Sequence, residues 1–181
     1  MNKGADRIEF TETDIRDFEV THKDERFDHV MCNPPFLEAG THLRSPDEGK
    51  AIANGHILSC HSEQREESRE SSKDPSSALR MTIQDWLDAG FRLLKPGGSL
   101  TLIHRADALG RILQGLGRRF GAVEIIPLWP RSGEEAKRVI IRARKDRKTP
   151  VRLHAGLVLH EANGDYTDAA EKILRGGQAI V

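Results

Sequence analysis

Residues 81–105, MTIQDWLDAGFRLLKPGGSLTLIHR, decide the fold. Ile83, Trp86, Leu87, Gly90, Leu93 and Leu94 recur at the spacing of one helix face. Pro96-Gly97-Gly98 is expected to end that helix, because glycine supplies backbone angles that other residues avoid. SLTLIHR (99–105) then reads as a buried strand. A helix followed at once by an apolar strand is the unit from which α/β layers are built.

The same alternation extends in both directions. Downstream, ADALGRILQGLGRRF (106–120) predicts a second amphipathic helix, weakened by three glycines. AVEIIPLW (122–129) and KRVIIRARK (137–145) predict two strands, joined by a connection (130–136) short enough for an antiparallel pair. VRLHAGLVLHE (151–161) is a further candidate strand, and YTDAAEKILRGG (166–177) a short helix stopped at Gly176. Upstream, RIEF (7–10) and FDHVMC (27–32) predict strands. The second must stop at Asn33-Pro34-Pro35, since two prolines remove two backbone donors. The expected fold is α/β with a mostly parallel sheet and a C-terminal antiparallel strand pair. Ligands of such sheets bind outside the carboxyl ends of the strands, where the Asp14 and Asn33 segments fall.

Two stretches stand apart. Residues 37–56 read as a loop. Residues 57–80, ILSCHSEQREESRESSKDPSSALR, hold seven serines interleaved with charges and almost no apolar residues. That composition predicts a disordered, low-complexity insertion within one domain of 181 residues.

Composition narrows the function by exclusion. Twenty-eight basic residues balance 28 acidic ones, so any basic surface must be local. Cys32 and Cys60 are too few for a disulfide scaffold or a zinc site and read as free thiols of a reducing, cytoplasmic compartment. The first ten residues lack the apolar core of a signal peptide, and no run of about 18 apolar residues predicts a membrane span. Trp86 and Trp129 occupy apolar positions and read as core.

The chemistry concentrates in Asn33-Pro34-Pro35-Phe36. An exocyclic amine on an aromatic base is a poor nucleophile, because its lone pair is delocalised into the ring. Two acceptors that bind both N–H protons favour a pyramidal nitrogen with an available lone pair. The Asn33 side-chain oxygen and a neighbouring main-chain carbonyl are such acceptors. Proline fixes the carbonyl's direction and cannot donate a competing bond. Phe36 can stack on the target base once it leaves its own stack. A rigid strand-ending turn is the structural alternative.

FDHVMCNPPF (27–36) resembles the fourth motif of class I S-adenosyl-L-methionine (AdoMet)-dependent amino-methyltransferases. LKPGGSLTLIHRADAL, IIPLWPRSGEEAKRVIIRARK and GLVLHEANGDYTDAAEKILRGG resemble, more narrowly, the bacterial tRNA(Val) adenine-37 N6-methyltransferase group. The resemblance implies a Rossmann-like sheet, AdoMet as cofactor, and methylation of an exocyclic amine, foremost adenine N6 in tRNA. It implies that Asp14 accepts from the adenine amine of AdoMet, with Ile15 beside that ring and Asn33 between cofactor and target. Lys137-Arg138 match the family's basic pair and, with Arg105, would meet RNA phosphate; a charged strand edge is their plain alternative. His104 reads as structural, since this mechanism requires no base. Within the same class, a ribosomal RNA guanine-N2 methyltransferase is the nearest alternative, and a non-catalytic RNA-binding remnant is the alternative from another class.

The chain departs from the family pattern at its start. No glycine-rich turn precedes Asp14, which predicts that the first βαβ unit of the sheet is absent, and with it part of the cofactor site. Sheet edges left open in that way would invite self-association.

Overall fold

The computed structural model describes Phe18, His22 and residues 25–35 and 81–180. The strand expected at 7–10, the sites Asp14, Ile15 and Phe36, Cys60 and the serine-rich stretch lie outside the described residues.

The described elements are β1 (Phe27–Cys32), α1 (Ile83–Leu93), β2 (Leu94–Arg105), α2 (Leu109–Leu116), β3 (Phe120–Trp129), β4 (Arg138–Lys145), β5 (Arg152–Leu153), β6 (Leu157–Val158) and α3 (Asp168–Leu174). The strand order is β1-β2-β4-β3-β5, with β6 also pairing with β3. β1 and β2 are parallel, and β3 is parallel to β5 and β6. β4 is antiparallel to both β2 and β3. Strand direction is therefore uniform except for β4, and the sheet is mixed rather than mostly parallel in its pairing. The cause is the hairpin: β4 folds back from β3 and inserts beside β2, so each of its two long ladders is antiparallel.

α1 starts where its chemistry directs. Thr82 Oγ1 accepts from the Asp85 N–H at 3.3 Å, and Asp85 Oδ2 accepts from the Thr82 N–H at 2.7 Å. This reciprocal pair is a capping box and satisfies two donors that the first turn leaves open. At the other end, Lys145 Nζ donates to the Phe91 and Leu94 carbonyls, each at 2.8 Å, and lies 4.2 Å from the Phe91 ring centroid. A cation from β4 thus neutralises carbonyls at the helix terminus.

Pro96-Gly97-Gly98 does not form a separate stop after α1. β2 begins at Leu94, and the three residues form a bulge inside it, between the pairs Phe27↔Leu94 and His29↔Ser99. Gly97 has φ of 76°, and a Cβ on Gly98 would lie 3.0 Å from the Asp28 carbonyl oxygen. Only glycine makes that turn while staying this close to β1. The next helix also differs from expectation. Ala106–Ala108 form a short 3-10 turn, and the α-helical part ends at Leu116, where Gly117 has φ of 54°. The candidate strand at 151–161 is two pieces of two residues each. Gly156 separates them, with φ of 86° and a would-be Cβ 2.3 Å from the Pro127 carbonyl oxygen.

One core joins the elements. Leu87 of α1, Leu100 and Leu102 of β2, Ile112 and Leu116 of α2, and Ile141 of β4 are all at most 1% exposed. Period-2 alternation puts Leu100, Leu102 and His104 on the helix-covered face of β2, with Val139, Ile141 and Ala143 of β4. Arg105, Arg138, Arg142 and Arg144 alternate onto the other face. Trp86 and Trp129 are half-buried rather than core. Trp129 is held at the sheet margin, where its indole N–H donates to the Ala155 carbonyl at 3.1 Å.

Among the described residues no helix is long and apolar enough to cross a membrane, and no cluster of His, Cys, Asp and Glu could hold a metal ion.

Candidate functional site

β1 pairs with β2 in parallel register as far as Cys32↔Leu102. Beyond Cys32 the ladder stops, because Pro34 and Pro35 have no N–H to continue it. β2 runs on for three residues past that last pair, through Ile103 and His104 to Arg105. The two prolines differ in exposure. The Pro34 side chain is fully buried, whereas Asn33 and Pro35 are exposed. The buried ring anchors the turn, and Asn33 is presented to solvent at the carboxyl end of the strand. That is the position where open α/β sheets bind ligands.

The expected basic residues come to the same end of the sheet. Arg105 and Arg138 are direct cross-strand partners. Lys137 precedes β4, and its carbonyl accepts from the Ala106 N–H at 3.1 Å, which ties the start of β4 to the end of β2. Lys137 and Arg138 are exposed. Arg105 is not a lone cation: its Nε donates to Asp107 Oδ1 at 3.0 Å and Oδ2 at 3.1 Å. The Arg105 guanidinium holds the Asp107 carboxyl below the usual carboxylate range. Asn33, Pro34 and Pro35 are thus brought together with Arg105, Lys137 and Arg138, while Asp14, Ile15 and Phe36 lie outside the described residues.

Two neighbours of the turn matter chemically. Cys32, the last residue of β1, is half-buried, and burial pushes its thiol pKa up to about 12. At pH 8 such a thiol is about 10⁻⁴ thiolate, against roughly a quarter for a free cysteine, and only the thiolate attacks electrophiles. Cys32 in the folded chain is therefore expected to react with iodoacetamide at least about 100-fold more slowly than in urea. Mass spectrometry of the labelled peptide checks this; equal rates would contradict the burial.

His104 is the second neighbour. It is 4% exposed and lies near the backbone of Pro35 and of Arg105. Burial holds its pKa below the ordinary histidine value, against the raising effect of the nearby Pro35 and Arg105 backbone. Its burial agrees with a structural histidine, as the sequence suggests. The available signal was its place on the inward-facing alternation of SLTLIHR, one residue before Arg105.

The chain is 25% identical over 174 residues to a tRNA1(Val) (adenine(37)-N6)-methyltransferase of Shewanella baltica strain OS185. It is 24% identical over 174 residues to the protein of that name from strain OS155. Both matches take in 94% of this chain and 63% of the relative, so the chain spans less than two thirds of their length. Among solved structures it is similar to a predicted O-methyltransferase from Agrobacterium tumefaciens, with a TM-score of 0.65 and 24% identity over 96% of this chain and 65% of that one. No protein-family model matches the chain. The fold is Rossmann-like, and the relatives in sequence and in structure are methyltransferases.

Proposed function

We propose that this chain carries the acceptor side of an AdoMet-dependent N-methyltransferase, with N6 of an adenine in tRNA as the target amine. The observation that supports it most is the turn itself: an exposed Asn33 at the carboxyl end of β1, followed by a buried Pro34 that fixes the main chain beside it.

The proposed division of labour follows from hydrogen-bond inventory. The Asn33 side-chain oxygen accepts one N–H of the target amine, and the Pro34 carbonyl accepts the other. Neither proline can offer a competing donor. With both protons held, the nitrogen lone pair turns out of the ring plane. Phe36 would stack on the extruded base. Lys137, Arg138 and Arg105 would meet RNA phosphates; their shared edge with Asn33 suits a substrate that spans the sheet end.

Asn33 would stand between AdoMet and the approaching amine, and Asp14 and Ile15 would hold the adenine of AdoMet, as the resemblance implies. When bound, AdoMet supplies an electrophilic methyl group. The Shewanella proteins, by their name, modify adenine 37 of tRNA1(Val), and this target is carried over as part of the proposal.

The amine-gripping claim has a direct binding test. A tRNA(Val) anticodon stem-loop is compared with one carrying purine, which lacks the 6-amino group, at the target position. Losing two hydrogen bonds to a site built for them is expected to weaken binding about tenfold or more. Equal affinity for the two RNAs would rule out recognition through the amine.

A further inference from the structure

Strand β4 sorts its cations by face. In KRVIIRARK (137–145) the arginines stand at 138, 142 and 144 and the lysines at 137 and 145. Two-residue alternation puts all three arginines on the sheet face turned away from α1 and α2. Lys145 goes to the helix side instead, at the Phe91 and Leu94 carbonyls. The registers carry the uncovered face across the sheet in rows. Arg144 lies beside Ser99, and Ser99 beside His29. Met31, Thr101, Arg142, Glu124 and Arg152 form the next row. Ile103, Ile140 and Ile126 form the third, and Arg105, Arg138 and Leu128 the fourth.

These rows hold five arginines and no lysine. Glu124 is the one acidic side chain in them, and it is already shared. Arg142 Nη1 lies 3.3 Å and Arg152 Nη1 3.4 Å from its two carboxylate oxygens. One carboxylate between two guanidiniums leaves positive charge over. Arg144 is exposed, and among the described residues no carboxylate pairs with it. The excess is local: residues 105–152 hold 13 basic and five acidic residues, in a chain whose total charge is balanced.

We propose that this face is an RNA-binding surface, along which a phosphate backbone runs from Arg105 and Arg138, at the Asn33 end, to Arg152 and Arg144 at the other. The proposal rests on RNA as the substrate, and not on how Asn33 treats the amine. From Arg138 to Arg144 the strand advances about 20 Å, which matches roughly six nucleotides of one helical strand. Arginine is the cation that binds phosphate through two parallel hydrogen bonds and also stacks on flat rings. Between the cationic rows, half-buried Ile103 and Ile140 offer bases an apolar floor, with Met31, 84% exposed, at its margin. A protein partner would call for the reverse pattern, a charge-depleted centre with aromatic anchors. The rows contain no Phe, Tyr or Trp.

The test measures binding of a tRNA(Val) transcript to the full chain between about 50 and 200 mM salt. The parent is compared with Arg144→Gln, Arg152→Gln and the double variant, and with Lys172→Gln, an exposed cation of α3 outside these rows. Each arginine removed should make the slope of log K against log salt shallower by about 0.7–0.9, and the pair by about twice that. Lys172→Gln should leave the slope unchanged. Sedimentation of the parent and the double variant runs alongside. An unchanged slope in the double variant would overturn the proposal while leaving RNA binding at Lys137 and Arg138 in place. An equal effect of Lys172→Gln would reduce the face to general charge attraction and overturn it too. A parent dimer that the double variant dissolves would assign the face to a second copy of the chain instead. If the double variant melts more than about 5 °C below the parent, the slope for Arg144→Gln alone decides. A parent that binds no RNA at any salt refutes both this surface and the tRNA substrate.

Discussion

Asn33→Ala is expected to lower kcat/KM for methyl transfer by about 10²- to 10³-fold, the cost of removing one preorganised acceptor from a transition state. The melting temperature should stay within about 2 °C of the parent, because substitutions of exposed residues usually change stability by about 0.5 kcal/mol or less. The separation follows from burial. Asn33 is exposed, whereas the anchoring of the turn belongs to Pro34, which is fully buried. The loss should appear in kcat, with little change in affinity for AdoMet. Asn33→Asp should be nearly as inactive: it keeps an oxygen acceptor but adds a charge that must be desolvated beside the target ring. RNA binding measured at moderate salt should fall far less than catalysis, because Lys137, Arg138 and Arg105 are untouched. A fall in melting temperature of about 5 °C or more in Asn33→Ala would instead mark Asn33 as part of the scaffold.

Ile141→Ala is expected to destabilise the chain by about 3 kcal/mol, within the range for emptying a buried aliphatic site. Ile141 is 0% exposed, and it lies on the strand that joins the two halves of the sheet. It pairs with Leu102 on one side and Ile125 on the other, and all three belong to one apolar cluster with Ile112 and Leu116. A cavity there is hard to close, because its walls come from β2, β3 and the overlying helices at once. The denaturant midpoint should move down while the slope of the transition stays constant. Ile140→Ala, one residue away on the other face and only half-buried, should cost about half as much or less. Equal costs would show that β4 is not packed one-sidedly in solution.

The parts of the fold visible in the sequence are those whose period or chemistry has one interpretation. The α1 stripe, the strand ends at Cys32 and Arg105, and the hairpin of β3 and β4 lie close to where spacing predicts them. What escaped depends on neighbours distant in sequence. Pro96-Gly97-Gly98 has the residues of a helix stop, and only the close approach of Asp28 on β1 makes it a bulge inside β2. Residues 151–161 have strand composition, but Gly156 must pass within contact of the Pro127 carbonyl, and that breaks the run in two. Trp129 looked like core because it ends an apolar run; it lies at the margin because its indole N–H has a carbonyl to reach there. At the candidate site, the residue types of the Asn-Pro-Pro turn were legible, and so was the basic character of residues 137 and 138. The raised thiol pKa of Cys32 was not, since nothing in FDHVMC states how deeply its last side chain is packed.

The most direct measurement is methyl transfer from radiolabelled AdoMet to bacterial tRNA, ribosomal RNA and release factor in parallel, followed by digestion and separation of the labelled products. The proposed function predicts label in N6-methyladenosine from tRNA, and its loss with Asn33→Ala. Label in N2-methylguanosine from ribosomal RNA, in a glutamine of the protein substrate, or in none of the three would contradict it.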